Sequence, residues 1–222
     1  MTDHPRAVLL VGATGLVGRE CLRLLLADPD VMRLVVITRR PLPIDVAAPK
    51  LDACVLDFDR LEEHGELFSV DQIVCALGTT MRRAGTRERF REVDLGIPLR
   101  VAQLGAARGA RHFLLVSSLG ADARSRIFYN RVKGELEQAV RALGFRSVTI
   151  VRPSLLRGKR VERRVRERVA MRVMRFAPRR WRPVQASAVA EALVRAASLD
   201  APGVRVIESR DIVRARSAER SA

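Results

Sequence analysis

Two residues four apart, Tyr129 and Lys133, are the pair in this sequence best suited to moving a proton. The chain holds one tyrosine and three lysines among 222 residues, so the spacing is a rare chance event. On a helix, positions i and i+4 share a face, which sets the ammonium beside the phenol. A phenol titrates near 10 in isolation, and a neighbouring cation favours its phenolate, which suits it to act as general acid/base on a carbonyl/alcohol couple. Ser117 and Ser118 stand twelve and eleven residues before the tyrosine, and either hydroxyl can hold a carbonyl oxygen. The spacing does not choose between them. The plain alternative is a half-buried helix aromatic and a solvated lysine, and what weighs against it is a glycine turn far upstream.

That turn is Gly12-Ala13-Thr14-Gly15-Leu16-Val17-Gly18, a GxxGxxG sequence placed between an apolar run and a helical pattern. A pyrophosphate seats against a helix N-terminus, where free N–H groups and the helix dipole favour an anion. Gly12 makes the turn, Gly15 admits the phosphates, and Gly18 lets helix and strand pack closely. Thr14, Leu16 and Val17 complete the candidate cofactor contacts. The end of the second apolar run reads Thr38-Arg39-Arg40, with no carboxylate before Asp45. An acid there would favour the ribose hydroxyl of NAD, whereas arginine accommodates a 2′-phosphate, so NADP(H) is favoured over NAD(H).

The elements that must position these groups follow from periodicity. Arg6–Val11, Arg33–Thr38, Ala53–Leu56, Gln72–Leu77, His112–Ser117 and Ser147–Val151 read as short buried strands, and Val204–Ile207 as a candidate last one. Between them, Leu16–Leu26, about Asp94–Arg108 and Tyr129–Leu143 carry helical spacing, as does an Ala-rich stretch from about Ala186 to Leu199. Alternating strands and helices predict an α/β fold, a doubly wound parallel sheet of the Rossmann type with a small C-terminal helical extension. Residues 1–222 are expected to form one domain, with 155–200 as a small appended substrate or cap region. Both serines fall at the end of the fifth strand, on the edge where such sheets bind ligands.

Composition sets the bounds. With 48% hydrophobic residues the chain can build a core, and no run reaches the roughly 18 uncharged apolar residues of a membrane span. The N-terminus lacks the pattern of a signal peptide, and Cys21, Cys54 and Cys75 show no paired spacing, so free thiols, no metal site and a cytoplasmic location are expected. Of 41 basic residues 38 are arginine, which discounts any argument from a lone Arg. Residues 157–182 nevertheless hold 12 basic residues and 2 acidic ones out of a net charge of +16. Val161, Val165 and Val169 recur there every four residues. That pattern suits a helix capping a substrate pocket, or a surface for an anionic membrane or a protein partner. The absence of a helix-turn-helix or stacking motif argues against sequence-specific nucleic-acid binding.

The set of motifs resembles the atypical short-chain dehydrogenase/reductases, and more narrowly the Tat-interacting-protein-like oxidoreductase group. The matching segments are the glycine turn, Cys75-Ala76-Leu77-Gly78-Thr79-Thr80, Val93-Asp94, Ser117–Asp122, Tyr129–Glu137 and Val151–Ser154. The resemblance implies that Leu77, Gly78 and Thr79 line the cofactor groove and that Asp57 and Phe58 lie beside the adenine. It also implies that Arg39 and Arg40 contact the adenosine phosphate and that Arg164 reaches the cofactor. Tyr129 would be the general acid/base, and Lys133 would hold the ribose hydroxyls and lower the tyrosine pKa. The expected function is an NADPH-dependent oxidoreductase acting on a small carbonyl or alcohol. The alternatives are a non-catalytic NADPH-binding regulator acting through a protein partner, and a cofactor-independent binder of anionic surfaces. The chain leaves little room for a dedicated substrate domain, and neither substrate nor oligomeric state is legible.

Overall fold

A computed structural model describes residues 5–42, 48–157 and 183–212 of the 222. The sheet is built from β1 (Arg6–Val11), β2 (Val31–Thr38), β3 (Leu51–Val55), β4 (Gln72–Cys75), β5 (His112–Val116), β6 (Ser147–Arg152) and an edge strand, Gly203–Glu208. Its order is β3-β2-β1-β4-β5-β6 followed by that edge strand, and all six pairings are parallel. The chain leaves β1 toward β2 and β3, then crosses back to β4, so the order reverses between β1 and β4. Ligands of such sheets bind outside the carboxyl ends at this reversal.

Each central strand is buried on both sides, and the two-residue period divides its side chains between two cores. Val8 and Leu10 of β1 face one, Leu9 and Val11 the other. The first core lies under α1 (Leu16–Ala27), which buries Val17, Cys21, Leu22 and Leu25 at helical spacing. The second lies under the 3-10 segment Phe58–Phe68 and two helices, Ile97–Ala107 and Phe128–Arg141.

Between β4 and the Ile97 helix the structure departs from one expected helix over 94–108. Two short helices, α2 (Met81–Ala84) and α3 (Arg87–Arg91), run into a π-turn over Glu92–Gly96 before α4 (Ile97–Ala107) begins. The wider turn aims Asp94 inward, where it is fully buried. Helix α5 is Phe128–Arg141. A separate two-stranded parallel ladder of β7 (Leu156–Arg157) and β8 (Val184–Gln185) pairs the chain on either side of residues 158–182, which lie outside the described residues. The candidate cap helix and Arg164 fall there too. Helix α6 (Ala186–Leu199), placed by sequence in the appended region 155–200, packs within the main core against α1. Its contact face is largely alanine, which allows close approach. The edge strand, β9 (Gly203–Glu208), includes the predicted residues 204–207.

Candidate active site

The glycine turn has the conformation its sequence demands. Gly12 has φ +89°, a region open to glycine, and a Cβ there would lie 2.6 Å from the Ala76 carbonyl group just past the carboxyl end of β4. A Cβ on Gly18 would fall 2.0 Å from the Gly12 oxygen. Both clashes are with backbone, which cannot swing away. Gly18→Ala is therefore expected to destabilise the protein by about 1–3 kcal/mol, as overpacking does. A thermal transition at the parent temperature would show that the turn relaxes instead. Gly15 is the N-cap of α1, no side chain caps that end, and its first turn holds no acid.

Around the turn stand the other groove residues. Arg39 and Arg40 are exposed at the carboxyl end of β2, and no described residue pairs with either side chain. The Thr38 hydroxyl donates to the Arg40 carbonyl at 2.7 Å and so fixes the backbone between them. Asp57 is exposed after β3 and caps the 3-10 segment by accepting from the Asp59 N–H at 3.1 Å. The Phe58 ring is a core side chain, packed with Leu9, Val35 and Ile37 rather than turned toward a groove. Leu77 is half-buried, Gly78 is exposed, and the Thr79 N–H donates to Asp94 Oδ2 at 2.8 Å.

Helix α5 delivers the tyrosine and the lysine. Tyr129 is half-buried, its ring centroid 5.3 Å from that of the fully buried Phe90. Phe90 also touches Phe128, whose ring lies beneath the guanidinium groups of Arg87 and Arg131 at 5.2 and 5.8 Å. These contacts lock α3 over the start of α5. Lys133 is buried, and its Nζ is 2.7 Å from Asp94 Oδ1. Burial pushes that ammonium down, but the Asp94 carboxylate, aided by Tyr129 and Cys75, offsets it and holds the lysine above its usual range. A Cβ on Gly78 would lie 3.4 Å from Asp94 Oδ1 and 3.6 Å from Lys133 Nζ, so the pair sits directly beneath this glycine. The next helix residue, Gly134, leaves room for the backbone of Asp122 and Ala123, which a Cβ would meet at 2.1–2.6 Å.

The two serines differ. The Ser117 hydroxyl is buried and donates to Glu137 Oε1 at 2.5 Å. Glu137 is itself buried and accepts from Arg152 Nε and Nη2 at 2.9 and 2.6 Å, while Arg152 Nη1 reaches Glu208 at 3.1 Å. Ser117 thus belongs to a network tying β5, α5, β6 and β9. Ser118 is half-buried at the loop entrance, and its hydroxyl has no partner among the described residues. Asp94, Glu137 and Arg152 appear in the sequence only as parts of matched segments. The one signal that could have flagged Asp94 is an acid inside an otherwise apolar pattern.

A parallel sheet with a glycine turn at its reversal, a Tyr-x-x-x-Lys pair on α5 and serines at the end of β5 defines a dinucleotide-binding protein of the short-chain dehydrogenase/reductase class. A family model described as NAD(P)H-binding matches residues 12–201, and the chain belongs to that family, within the Tat-interacting-protein-like group of atypical short-chain dehydrogenase/reductases. It is 35% identical over 178 residues to Protein HTATIP2 of Rattus norvegicus, spanning 79% of this chain and 73% of the relative. It is 38% identical over 168 residues to the mitochondrial protein fmp52 of Emericella nidulans, spanning 73% and 72%. Among solved structures it resembles the Bordetella bronchiseptica enzyme WbmH in complex with NAD+, with a TM-score of 0.72 at 16% identity over 92% of this chain and 76% of that one. MoeE5 in complex with UDP-glucuronic acid and NAD gives 0.71 at 19% identity over 90% and 75%. These structures show the fold. The expected cytoplasmic location is not upheld, because the fungal relatives are named mitochondrial. The free cysteines do not name a compartment.

Proposed function

We propose that the protein is an NADPH-dependent oxidoreductase that moves a hydride to or from a small carbonyl or alcohol substrate, with Tyr129 as general acid/base. The observation that carries this reading is the buried ammonium of Lys133, one helical turn from the sole tyrosine. The glycine turn fits a dinucleotide: α1 starts without a side-chain cap, and a Cβ on Gly15 would meet only the Gly12 and Ala76 oxygens, at 3.2 and 3.9 Å.

When bound, the nicotinamide dinucleotide would supply or accept the hydride. The chain does the rest. Residues 12–18 would hold the pyrophosphate, with the Leu77–Thr79 backbone and Asp57 along the groove. Lys133 would hold the ribose hydroxyls and set a positive field beside Tyr129, whose Oη would pass the proton to a developing alkoxide. Ser118 Oγ would orient the carbonyl oxygen, because the Ser117 hydroxyl is already bound by Glu137. The names of the fungal relatives support a mitochondrial setting.

The guanidinium groups of Arg39 and Arg40, which have no partner among the described residues, support a 2′-phosphate site, and Arg39→Ala is expected to narrow the preference for NADPH over NADH about tenfold, the worth of one charge-assisted hydrogen bond. Fluorescence titration with both cofactors measures this ratio, and an unchanged value removes Arg39 from the phosphate site. One observation favours the regulatory reading. Asp94 already neutralises the lysine that a catalytic tyrosine would use. Turnover of any carbonyl by the parent protein, lost in Tyr129→Phe, decides between them.

A further inference from the structure

Lys133 is held by a buried partner, Asp94. Asp94 is fully buried: its Oδ2 accepts from the Thr79 N–H at 2.8 Å, and its Oδ1 makes an ion pair with Lys133 Nζ at 2.7 Å and no further hydrogen bond among the described residues. A carboxylate is costly to bury, and a π-turn is an uncommon way to deliver one. It reaches two groups that belong to different elements, the loop after β4 and the middle of α5. We infer that Asp94 is a positioning residue, which keeps Lys133 charged and fixed beneath Gly78 and ties it to the backbone of the groove at Thr79. The inference rests on the proposed reading of Tyr129 and Lys133, and it adds a third charged member to that site.

The groups that face Lys133 are Asp94 from the π-turn, Tyr129 from its own helix and the Cys75 thiol from β4. Burial pushes Cys75 up to about 11, so it stays a neutral thiol over most of the pH range. The charge balance is therefore set by Asp94, Lys133 and Tyr129. Asp94 can influence the phenol in two ways, and they have opposite signs. As a bare neighbouring anion it disfavours phenolate, so its removal would make Tyr129 easier to ionise. Acting through Lys133 it preserves the cation that favours phenolate, so its removal would let the buried lysine shed its proton early and make Tyr129 harder to ionise.

Because Tyr129 is the sole tyrosine, tyrosinate absorbance during an alkaline titration of the full chain reports this one group without substrate or cofactor. Asp94→Asn is expected to raise the tyrosinate midpoint by about one pH unit, a tenfold change in ionisation. Lys133→Met should raise it similarly, and the double variant should add nothing further. Asp94→Glu, which keeps the charge, should return the midpoint toward the parent value. If Lys133→Met raises the midpoint while Asp94→Asn leaves or lowers it, the positioning role is overturned and the reading of the pair stands. If neither single variant moves it, the lysine does not act on the tyrosine, and both the inference and the proposed function fail. Should Asp94→Asn not fold, recovery of folding in the double variant supports the same charge-balancing role, since no lone cation then stays buried. Failure to recover overturns it.

Discussion

Tyr129→Phe is expected to retain the parent's affinity for NADPH and to lose about a thousandfold in carbonyl reduction, within the range that a positioned general acid contributes. The substitution removes one oxygen. The ring keeps its tilted contact with Phe90, and Phe128 still lies under Arg87 and Arg131, so α5 has no reason to shift. Lys133 keeps Asp94, its shortest contact. What disappears is the group that passes a proton to the alkoxide, so the loss should fall on kcat, with KM for the cofactor little changed. The comparison separates the two leading readings, because a regulator that only senses NADPH has no use for the phenol. Turnover undiminished in the variant would remove Tyr129 from the chemistry. Loss of cofactor binding together with activity would mean that its hydroxyl serves the dinucleotide.

Much of this arrangement is written in the sequence because it is local. Gly12, Gly15 and Gly18 sit within one strand–helix turn, and Tyr129 and Lys133 within one helical turn, so their spacing alone predicts their geometry. The strands are legible for the same reason, since β1, β4 and β5 are continuous apolar runs buried on both faces. What periodicity misses depends on distant partners. Nothing in the order of residues sets Asp94 against Lys133 or Glu137 against Arg152, because these contacts arise only when α5 closes over the sheet. The π-turn at Glu92–Gly96 is missed because an extra residue per turn leaves no mark in a single sequence. Helix α6 is legible as an alanine-rich helix, but its close approach to α1 is not, because that contact depends on small side chains meeting a distant partner. The choice between Ser117 and Ser118 is unreadable from spacing. It depends on Glu137, twenty residues on, which takes the Ser117 hydroxyl and leaves that of Ser118 without a partner among the described residues.

Glu137→Ala is accordingly expected to cost more stability than Gly18→Ala. Its carboxylate is buried and gathers the Ser117 hydroxyl and two N–H groups of Arg152. Removing it leaves a half-buried guanidinium with Glu208 alone and a buried hydroxyl without an acceptor. Breaking one side of such a pair costs about 3–5 kcal/mol. The lower end applies because Arg152 is 23% exposed and water can partly replace the lost partner. For a chain of this size that is a fall in melting temperature of roughly 6–12 °C. The effect should come from the stranded charge rather than from the lost attraction. Replacing Glu137 and Arg152 together by leucine is then expected to recover much of the loss, since neither charge remains to be solvated. Calorimetry on the three variants tests this. If the double variant is as unstable as the sum of the single ones, packing of the aliphatic stems governs the site and the charge argument fails. The network also holds the end of β5, so a smaller loss of activity should accompany Glu137→Ala through displacement of Ser118, while the proton chemistry of Tyr129 stays intact and the pH profile keeps its shape.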